Sequence, residues 1–462
     1  MLNPSTAKSV IDHAMFMGAD FAELFVERHH SGNVELLSGE VDKVSSGIDF
    51  GIGIRLFFGH KVLYGYTNSR DEEQLKKVTS LLCARDKRDQ IANAGPLNLT
   101  HLNDKHPVTE PLSRDQHVAD KVDFLRKVDQ RIRAESDKIS QIIGRVGQRE
   151  QQVEIFNSRG LHVSDTRHYT RIAATAVATD GKEQSTGFDA PGALTGWEFH
   201  QALDPAAMGE RVARQALTKL GAQTCPSGEM PVVIGNGFGG VIFHEACGHL
   251  LETTSVAKQA SVFHDQMGEM IASPVVSAVD DGTLANAWGS INIDDEGMET
   301  QHTQLIKDGK LTAFMVDHMG SLKTGYARTG SGRRESYKFA PTSRMRNTFI
   351  EPGNDDLDKM IGSMKRGIYA KKMGGGSVQP GTGEFNFAVQ EAYLVEDGQI
   401  TAPLKSATLI STGPKVLKEI SMVGKDLALA AGMCGSVSGA VPTTVGQPAL
   451  KVDNILVGGG NA

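Results

Sequence analysis

The chain has 462 residues, of which 39% are hydrophobic, and it carries 51 glycines against 16 prolines. This length allows a large core in two or three domains, and the glycine content favours strands joined by tight turns over a mostly helical fold. The net charge of −7, without a long run of lysine or arginine, speaks against a surface that contacts nucleic acid directly.

Cysteine usage and the N-terminus bear on the compartment. The four cysteines lie far apart in the sequence, without the paired spacing of a zinc ribbon or a redox dithiol. The first residues lack a basic region followed by an apolar core, and no apolar run approaches the roughly 18 residues of a transmembrane helix. We therefore expect a cytoplasmic protein with neither an export signal nor a membrane span.

The first part of the chain, residues 1–85, predicts a small α+β unit. It begins with a helix capped by Ser5 and ends with a helix over about residues 71–83. The strand-like runs between them cover residues 21–28, 34–44 and 51–58. Residues 86–114 are polar and contain three prolines, so they predict a linker or a long loop.

Residues 115–225 predict a middle unit that combines helices with a meander. A long charged helix is expected over about residues 115–143, and a closing helix over about residues 205–220. The strands between them are predicted over residues 152–157, 161–165 and 169–179.

Residues 229–460 predict a β-rich C-terminal domain with short helices near residues 355–367 and 415–420. The fold class is therefore expected to be α+β. Its N-terminal α/β domain would consist of antiparallel meanders with helices. Its C-terminal domain would be a twisted antiparallel sheet, or barrel-like, and would carry a metal-binding helix.

The most informative stretch is residues 239–251, where an apolar helical pattern is expected to hold His244, Glu245 and His249. The usual zinc-protease helix spaces its histidines four residues apart, so that both face one side. Here the spacing is five. On a regular helix this turns the second imidazole by about 140° and moves it about 7.5 Å along the axis. One ion can reach both rings only if a π-bulge loosens the helix or the helix ends there, and Gly248 gives the backbone that freedom.

A catalytic zinc ion takes three protein ligands and leaves a fourth position for water, so the two histidines need a companion. The candidates are Glu252, His264, Glu269 and the four cysteines. Cys434 lies in a Gly-Met-Cys-Gly run, whose glycines let the backbone bring a thiolate close to another element. The alternative is a buried, inert cysteine, and these residues alone leave the choice open.

Seven separated motifs resemble those of the TldD/PmbA family, on its metal-bearing TldD side and over nearly the whole length of the chain. They occupy residues 244–249, 279–283, 293–297, 329–337, 367–370, 420–424 and 446–448. The first reads His-Glu-Ala-Cys-Gly-His, and because it is intact the resemblance places this chain on the catalytic side.

The resemblance implies a zinc peptidase that acts on unstructured peptides in the cytoplasm. It implies Zn²⁺ held by His244, His249 and Cys434, with Glu245 as the general base. It also implies a dimer that encloses a cavity, either a homodimer or a heterodimer with a metal-free PmbA/TldE-like subunit.

One segment departs from the family pattern. Relatives often carry Cys-Gly-Lys, whereas this chain has Cys434, Gly435 and Ser436. The ligand is kept and the lysine is absent, so neither a substrate contact by that lysine nor an obligatory partner is carried over to this chain.

In the expected mechanism, Glu245 takes a proton from a zinc-activated water during attack on a peptide carbonyl and returns it to the leaving amine. Arg333, Arg334 and Tyr337 are candidates for substrate binding or for donors to the oxyanion, and a surface loop with salt bridges is the alternative for them. Exposed sheet edges would accept an extended peptide as an added strand.

Two other classes of function are compatible with the sequence. The chain could be a non-catalytic peptide-binding or regulatory subunit of a TldD/TldE-like complex, as its metal-free relatives are; peptide binding that survives loss of zinc would indicate this. Relatives have also been described as modulators of DNA gyrase, which is a protein-interaction role without direct DNA contact.

Overall fold

Strands dominate the structure, with 43% of the residues in strands and 23% in helices, which confirms the expected α+β class. The computed structural model describes residues 1–114 and 117–459. The helices are α1 (Pro4–Phe16), α2 (Glu72–Cys83), α3 (Val118–Glu135), α4 (Pro205–Lys219), α5 (Val241–Ala246), α6 (Thr253–Val256), α7 (His318–Thr324), α8 (Leu357–Gly362) and α9 (Gly413–Glu419). Within the residues that the structure describes, no helix is both long enough and apolar enough to cross a membrane.

The strands of the first half are β1 (Phe21–Leu37), β2 (Glu40–Phe58), β3 (Lys61–Thr67), β4 (Asn98–Thr100), β5 (Ile139–Asn157), β6 (Leu161–Thr179), β7 (Gln184–Asp189) and β8 (Gly192–Ala193). Those of the second half are β9 (Gly228–Ile234), β10 (Ala278–Asp281), β11 (His302–Lys307), β12 (Lys310–Leu311), β13 (Gly332–Arg333), β14 (Thr342–Ser343), β15 (Asn347–Ile350), β16 (Arg366–Gln379), β17 (Glu384–Glu396), β18 (Gln399–Leu404), β19 (Ala407–Thr412), β20 (Ile420–Val423), β21 (Ala428–Ser436), β22 (Gly439–Gln447) and β23 (Leu450–Gly458).

Two long antiparallel hairpins build the N-terminal sheet. β1 and β2 meet at Ser38 and Gly39, whose positive φ angles of 52° and 86° suit a two-residue hairpin turn. β1 also pairs with β5, and β5 pairs with β6, so the strand order is β3-β2-β1-β5-β6-β4, with β7 and β8 also on β6. The units predicted over residues 1–85 and 115–225 therefore share one sheet.

Two helix pairs cover this sheet. α1 and α2 pack together over a core that includes Leu24 and Leu56, and α3 and α4 pack together over a core that includes Ile172 and Trp197. Each helix turns an apolar stripe towards the sheet. The N-cap of the first helix is Asn3, two residues before the predicted Ser5, because the Asn3 side chain accepts the hydrogen bond from the Ser5 amide.

The C-terminal part contains two larger sheets. One has the order β12-β11-β10-β15-β22-β21, with β21 at its edge. In the other, β16, β9, β23, β19 and β17 pair in turn, and β17 pairs back with β16, so five strands close into a ring. This closed arrangement agrees with the barrel-like form of the prediction. α5 follows β9 and packs against strands of both sheets, including β16 and β22.

The long helix predicted over residues 115–143 is shorter in the structure. α3 ends at Glu135 and β5 begins at Ile139, while Asp115, the predicted start, lies outside the described residues. From Ile142 to Gln148 the side chains alternate between buried and more exposed positions, and a period of two is typical of a strand.

Several strand predictions were also wrong in their bounds. The run over residues 34–44 crosses the turn between β1 and β2, so it belongs to two strands. The runs over residues 161–165 and 169–179 are one continuous strand, β6, because the polar residues between them pair across to β5.

Candidate metal centre

α5 ends between the two histidines of the motif. After this helix, Cys247 leaves the helical region with φ −137° and ψ −51°, and a 3₁₀ turn over Gly248–Leu251 follows. Because the regular helix stops, the five-residue spacing does not turn the rings apart. The ring centroids of His244 and His249 lie 5.0 Å from each other, with an angle of 85° between the planes.

Cys434 approaches the histidines from β21, the edge strand of the six-stranded sheet. Its Sγ lies 3.2 Å from Nε2 of His244 and 3.2 Å from Nε2 of His249. The buried Arg344 guanidinium donates a hydrogen bond to the Cys434 carbonyl and so fixes the position of β21 beside the histidines. The structure therefore brings Cys434 into contact with two histidines that lie 190 and 185 residues before it in the sequence.

These three side chains form a candidate metal centre. One potential ligand atom from each lies within 4.8 Å of the other two, and His244 and Cys434 are buried. Two imidazoles and one thiolate suit zinc, and three protein ligands leave a position for water. Across residues 1–114 and 117–459, no second group of three such side chains meets as closely, and neither His264 nor Glu269 belongs to this one.

Glu252 orients one of the histidines. Its Oε2 lies 3.1 Å from Nδ1 of His249, which leaves Nε2 directed at Cys434. Burial by itself would lower the pKa of His249, but the carboxylate of Glu252 and the sulfur of Cys434 raise it well above its ordinary value. A carboxylate on the far nitrogen is the usual support of a metal-bound histidine.

The environment of Cys434 favours the thiolate. Burial alone would raise the pKa of its thiol, yet the neighbouring imidazoles of His244 and His249 hold that pKa well below its ordinary value. The thiolate is the form of cysteine that binds metals. By contrast, burial raises the pKa of the other three thiols, Cys83, Cys225 and Cys247, above its ordinary value.

Glu245 lies beside the cluster and faces a cavity of about 340 Å³. Its Oε2 is 3.8 Å from Nε2 of His249. Burial raises the pKa of its carboxyl group, and the two imidazoles counteract part of this effect. The cavity is also lined by Ser436 and Ser377.

Arg333, Arg334 and Tyr337 do not line this cavity. The Arg333 guanidinium donates to the backbone carbonyls of Met345 and Pro442, each at 2.7 Å. Arg334 is buried and pairs with Glu23 of β1 at 2.8 Å, and Tyr337 also contacts the N-terminal sheet. Their predicted role towards substrate gains no support from this placement and stays a prediction.

Acidic residues at the end of β10 and in the segment before β11 pair with arginines inside the protein. Asp280 binds Arg346 at 2.8 Å, and Asp295 binds Arg167 at 2.7 Å. Glu296 lies 2.6 Å from Arg55 of β2. Asp295 and Glu296 therefore hold the C-terminal part to the N-terminal sheet, whereas Asp280 pairs within the C-terminal part.

Family models match the chain along nearly its whole length. They describe PmbA/TldA metallopeptidase domain 1 over residues 22–84, the central domain over residues 111–220 and the C-terminal domain over residues 227–459.

Full-length relatives are named as metalloproteases. The Metalloprotease TldD homolog of Haemophilus influenzae is 35% identical over 469 residues, which cover 100% of this chain and 97% of that protein. The Zinc metalloprotease TldD homolog of Saccharolobus solfataricus is 26% identical over 452 residues, which cover 97% and 99%.

Solved structures share the fold at low identity. A Thermotoga maritima protein, provisionally described as a modulator of a DNA gyrase, aligns with a TM-score of 0.80 and 20% identity over 98% of this chain and 99% of its own. TldE from Thermococcus kodakarensis aligns with a TM-score of 0.77 and 19% identity over 98% and 99%. On the strength of the three domain models in sequence and the full-length identity to TldD homologues, this chain belongs to the PmbA/TldD metallopeptidase family.

Proposed function

We propose that the chain is a zinc-dependent peptidase. The observation that carries this proposal is the meeting of His244, His249 and Cys434 beside Glu245 at the wall of a cavity. The name of the Saccharolobus solfataricus relative, a zinc metalloprotease, agrees with this donor set. When bound there, zinc would supply a Lewis acid that activates water and polarises a peptide carbonyl.

Glu245 is the residue that we assign to proton transfer. Its carboxyl group is largely buried beside the cluster, and the raised pKa brings it nearer to neutrality, where a group can both accept and release a proton. As general base it takes a proton from the attacking water, and as general acid it returns this proton to the leaving amine.

His244, His249 and Cys434 would hold the metal, and Glu252 keeps the His249 ring in orientation through its Nδ1. Arg344 fixes the backbone of Cys434, so the thiolate is presented from a rigid strand. These residues provide a pre-formed site, which reduces the reorganisation needed for catalysis.

The substrates that we propose are unfolded or short peptides in the cytoplasm. An extended chain can add to an exposed sheet edge through the hydrogen bonds of its main chain, which a folded protein cannot do. The structural likeness to TldE favours a TldD/TldE-like complex as the assembly, with a homodimer as the alternative.

Metal content and cleavage, measured together, test the proposal. We expect about one zinc per chain in the wild type, and a Glu245→Gln variant that keeps zinc but cleaves an unfolded peptide mixture at least about 100-fold more slowly. Cys434→Ala should lose both zinc and cleavage. Cys83→Ala, which removes a buried cysteine of α2, is the matched control and should retain both.

A non-catalytic role is the second candidate, because one structural neighbour is described as a gyrase modulator. If the wild type, supplied with zinc and a TldE-like partner, binds peptides but holds no metal and cleaves nothing, the chain is a binding or regulatory subunit and the peptidase proposal fails.

A further inference from the structure

A second cavity, of about 490 Å³, lies between the central and the C-terminal parts of the chain. The central part contributes Arg171 of β6 and Phe188 of β7 to its wall. The C-terminal part contributes Lys372 of β16 and the stretch from Leu429 to Met433 of β21. No step in the proposed peptidase mechanism uses this cavity.

The second cavity adjoins the candidate metal centre. Met433 lines both cavities, and its neighbour Cys434 lines only the first. β16 repeats this pattern, because Gly375 lines the second cavity and Gly376 the first. The two cavities therefore adjoin along β21 and β16.

One part of the second cavity is apolar. Large apolar side chains are seldom left open to water in a cluster, yet Phe188, Leu429 and Met433 are 38%, 41% and 51% exposed and all line this space. Phe238 lies in the same wall. Such a surface suits an apolar side chain of a bound peptide.

The other part carries positive charge without matching carboxylates. The Arg171 guanidinium donates to the carbonyls of Ala190 and Ala431, at 3.3 Å each, and its cation lies 5.6 Å from the ring centroid of Trp288. The Lys372 ammonium donates to the carbonyl of Phe188. In the described part of the chain, neither cation has a carboxylate within 4 Å.

Asp189 is the acid that lines this cavity, and it pairs with Arg211 at 3.1 Å. Burial lowers the pKa of both Arg171 and Lys372; for Lys372, Asp189 and Glu391 oppose this effect, whereas Arg211 and Lys371 add to it. The cavity therefore offers two half-buried cations to a ligand that brings a carboxylate.

We propose that the second cavity is a substrate subsite, which binds a peptide segment with an apolar side chain next to a carboxylate. Lys372 is the principal specificity-determining residue, because its ammonium stands on a flexible aliphatic stem and makes a single carbonyl contact. This inference rests on the proposed peptidase function for the identity of the ligand as a peptide. The carboxylate is supplied either by an acidic side chain or by the C-terminus of the peptide.

Binding of short labelled peptides to the full-length Glu245→Gln variant tests this inference without any need for cleavage. The peptides are Ala/Gly chains with a Leu-Glu or a Leu-Gln pair, each prepared with a free or an amidated C-terminus. We expect a peptide that bears the recognised carboxylate to bind about five- to tenfold more tightly than its neutral counterpart by fluorescence anisotropy. The comparison of Glu with a free C-terminus shows which carboxylate is recognised.

Lys372→Met in the same background should remove the preference, and Lys372→Arg should restore it. Lys371→Met is the matched control, because Lys371 is the next residue, pairs with Glu391 and does not line the cavity. It should keep the full preference.

Equal affinity for the charged and neutral peptides, or a preference that persists in Lys372→Met, would overturn the inference. Cleavage of the neutral Leu-Gln peptide by the wild type is measured alongside. If this peptide is cut but no preference is found, the subsite inference fails and the peptidase proposal stands. If the preference is found but nothing is cut, the subsite exists and the peptidase proposal fails.

Discussion

Glu252 connects the candidate metal centre to the protein around it. It contacts Nδ1 of His249 at 3.1 Å and is buried near the Arg344 guanidinium, whose Nε is 3.9 Å from its second oxygen. In a Glu252→Gln variant the amide lacks the charge that polarises the imidazole. We expect zinc affinity to fall by about 10- to 100-fold, measured by competition with a chromophoric chelator.

Glu299→Gln is the matched control for this prediction, since Glu299 is exposed and lies outside the cavity beside the metal centre. It should leave zinc affinity unchanged. Glu252→Gln with the affinity of the wild type would show that His249 is held by its packing and not by this carboxylate.

The sequence indicates the candidate residues better than their supports. His244, Glu245 and His249 form a local motif, so they are visible without a structure. Cys434 lies 185 residues beyond His249, and its assignment depended on flanking glycines and on the family resemblance. Glu252 was considered as a metal ligand, but in the structure it contacts Nδ1 of His249. This contact depends on where α5 ends, and residue spacing alone does not locate that end. The roles of these residues in catalysis stay predictions.

At the level of elements, the position of α5 depends on a close contact between glycines. A Cβ atom on Gly240, at the start of α5, would lie 2.4 Å from the backbone nitrogen and oxygen of Gly446 in β22. β22 also pairs with β21, which carries Cys434. A change that moves α5 away from β22 therefore also moves His244 away from Cys434, the other proposed ligand.

We expect Gly240→Ala to lower the free energy of unfolding by about 1–3 kcal/mol, because backbone atoms must shift to admit the methyl group. It should also weaken zinc binding. Gly362→Ala is the matched control: a Cβ at this position in α8 meets nothing within 4 Å. Chemical denaturation of both variants would check the prediction, and equal stability would show that the contact relaxes at little cost.

Element types were easier to predict than element ends. The helix over residues 115–143 was expected to continue into what is β5, because charged and apolar residues alternate irregularly there. Tertiary pairing decides the outcome, since β5 bonds to β1 on one side and to β6 on the other. The Ser38-Gly39 turn was missed for a similar reason: its flanking residues favour strands, and the positive φ of Ser38 is uncommon for a residue other than glycine.

At the scale of the whole molecule, the α+β class followed from composition and pattern, but the connections between the parts did not. Ion pairs between distant segments hold the N-terminal sheet to the C-terminal part, such as Arg55 with Glu296 and Glu23 with Arg334. Partners that are more than 200 residues apart carry no local signal in one sequence. The closure of β17 onto β16 is likewise a property of the assembled strands.

His318 adds a pH-dependent element to this junction. Its buried ring at the start of α7 contacts the rings of Phe21 and Phe57 of the N-terminal sheet, with centroids 4.6 Å and 5.1 Å away. Burial lowers the pKa of its imidazole to about 4; Glu296 opposes this effect, and Arg55, Arg328 and Arg159 add to it. The folded protein therefore favours a neutral ring.

In the unfolded chain the same imidazole has a pKa of about 6.5, so the unfolded state binds the proton more tightly between these two values. The contribution of His318 to stability is complete above about pH 6.5 and is lost as the pH falls through about 4. Between pH 7 and pH 4 we expect the wild type to lose about 3 kcal/mol more of its free energy of unfolding than His318→Phe, whose ring fills the same space without titrating. Urea denaturation at several pH values measures this difference.

His101→Phe, at an exposed site, should follow the wild-type pH dependence. A constant difference between the wild type and His318→Phe at all pH values would mean that the junction admits a protonated imidazole, and the ion pairs around Glu296 would then have to absorb the added charge.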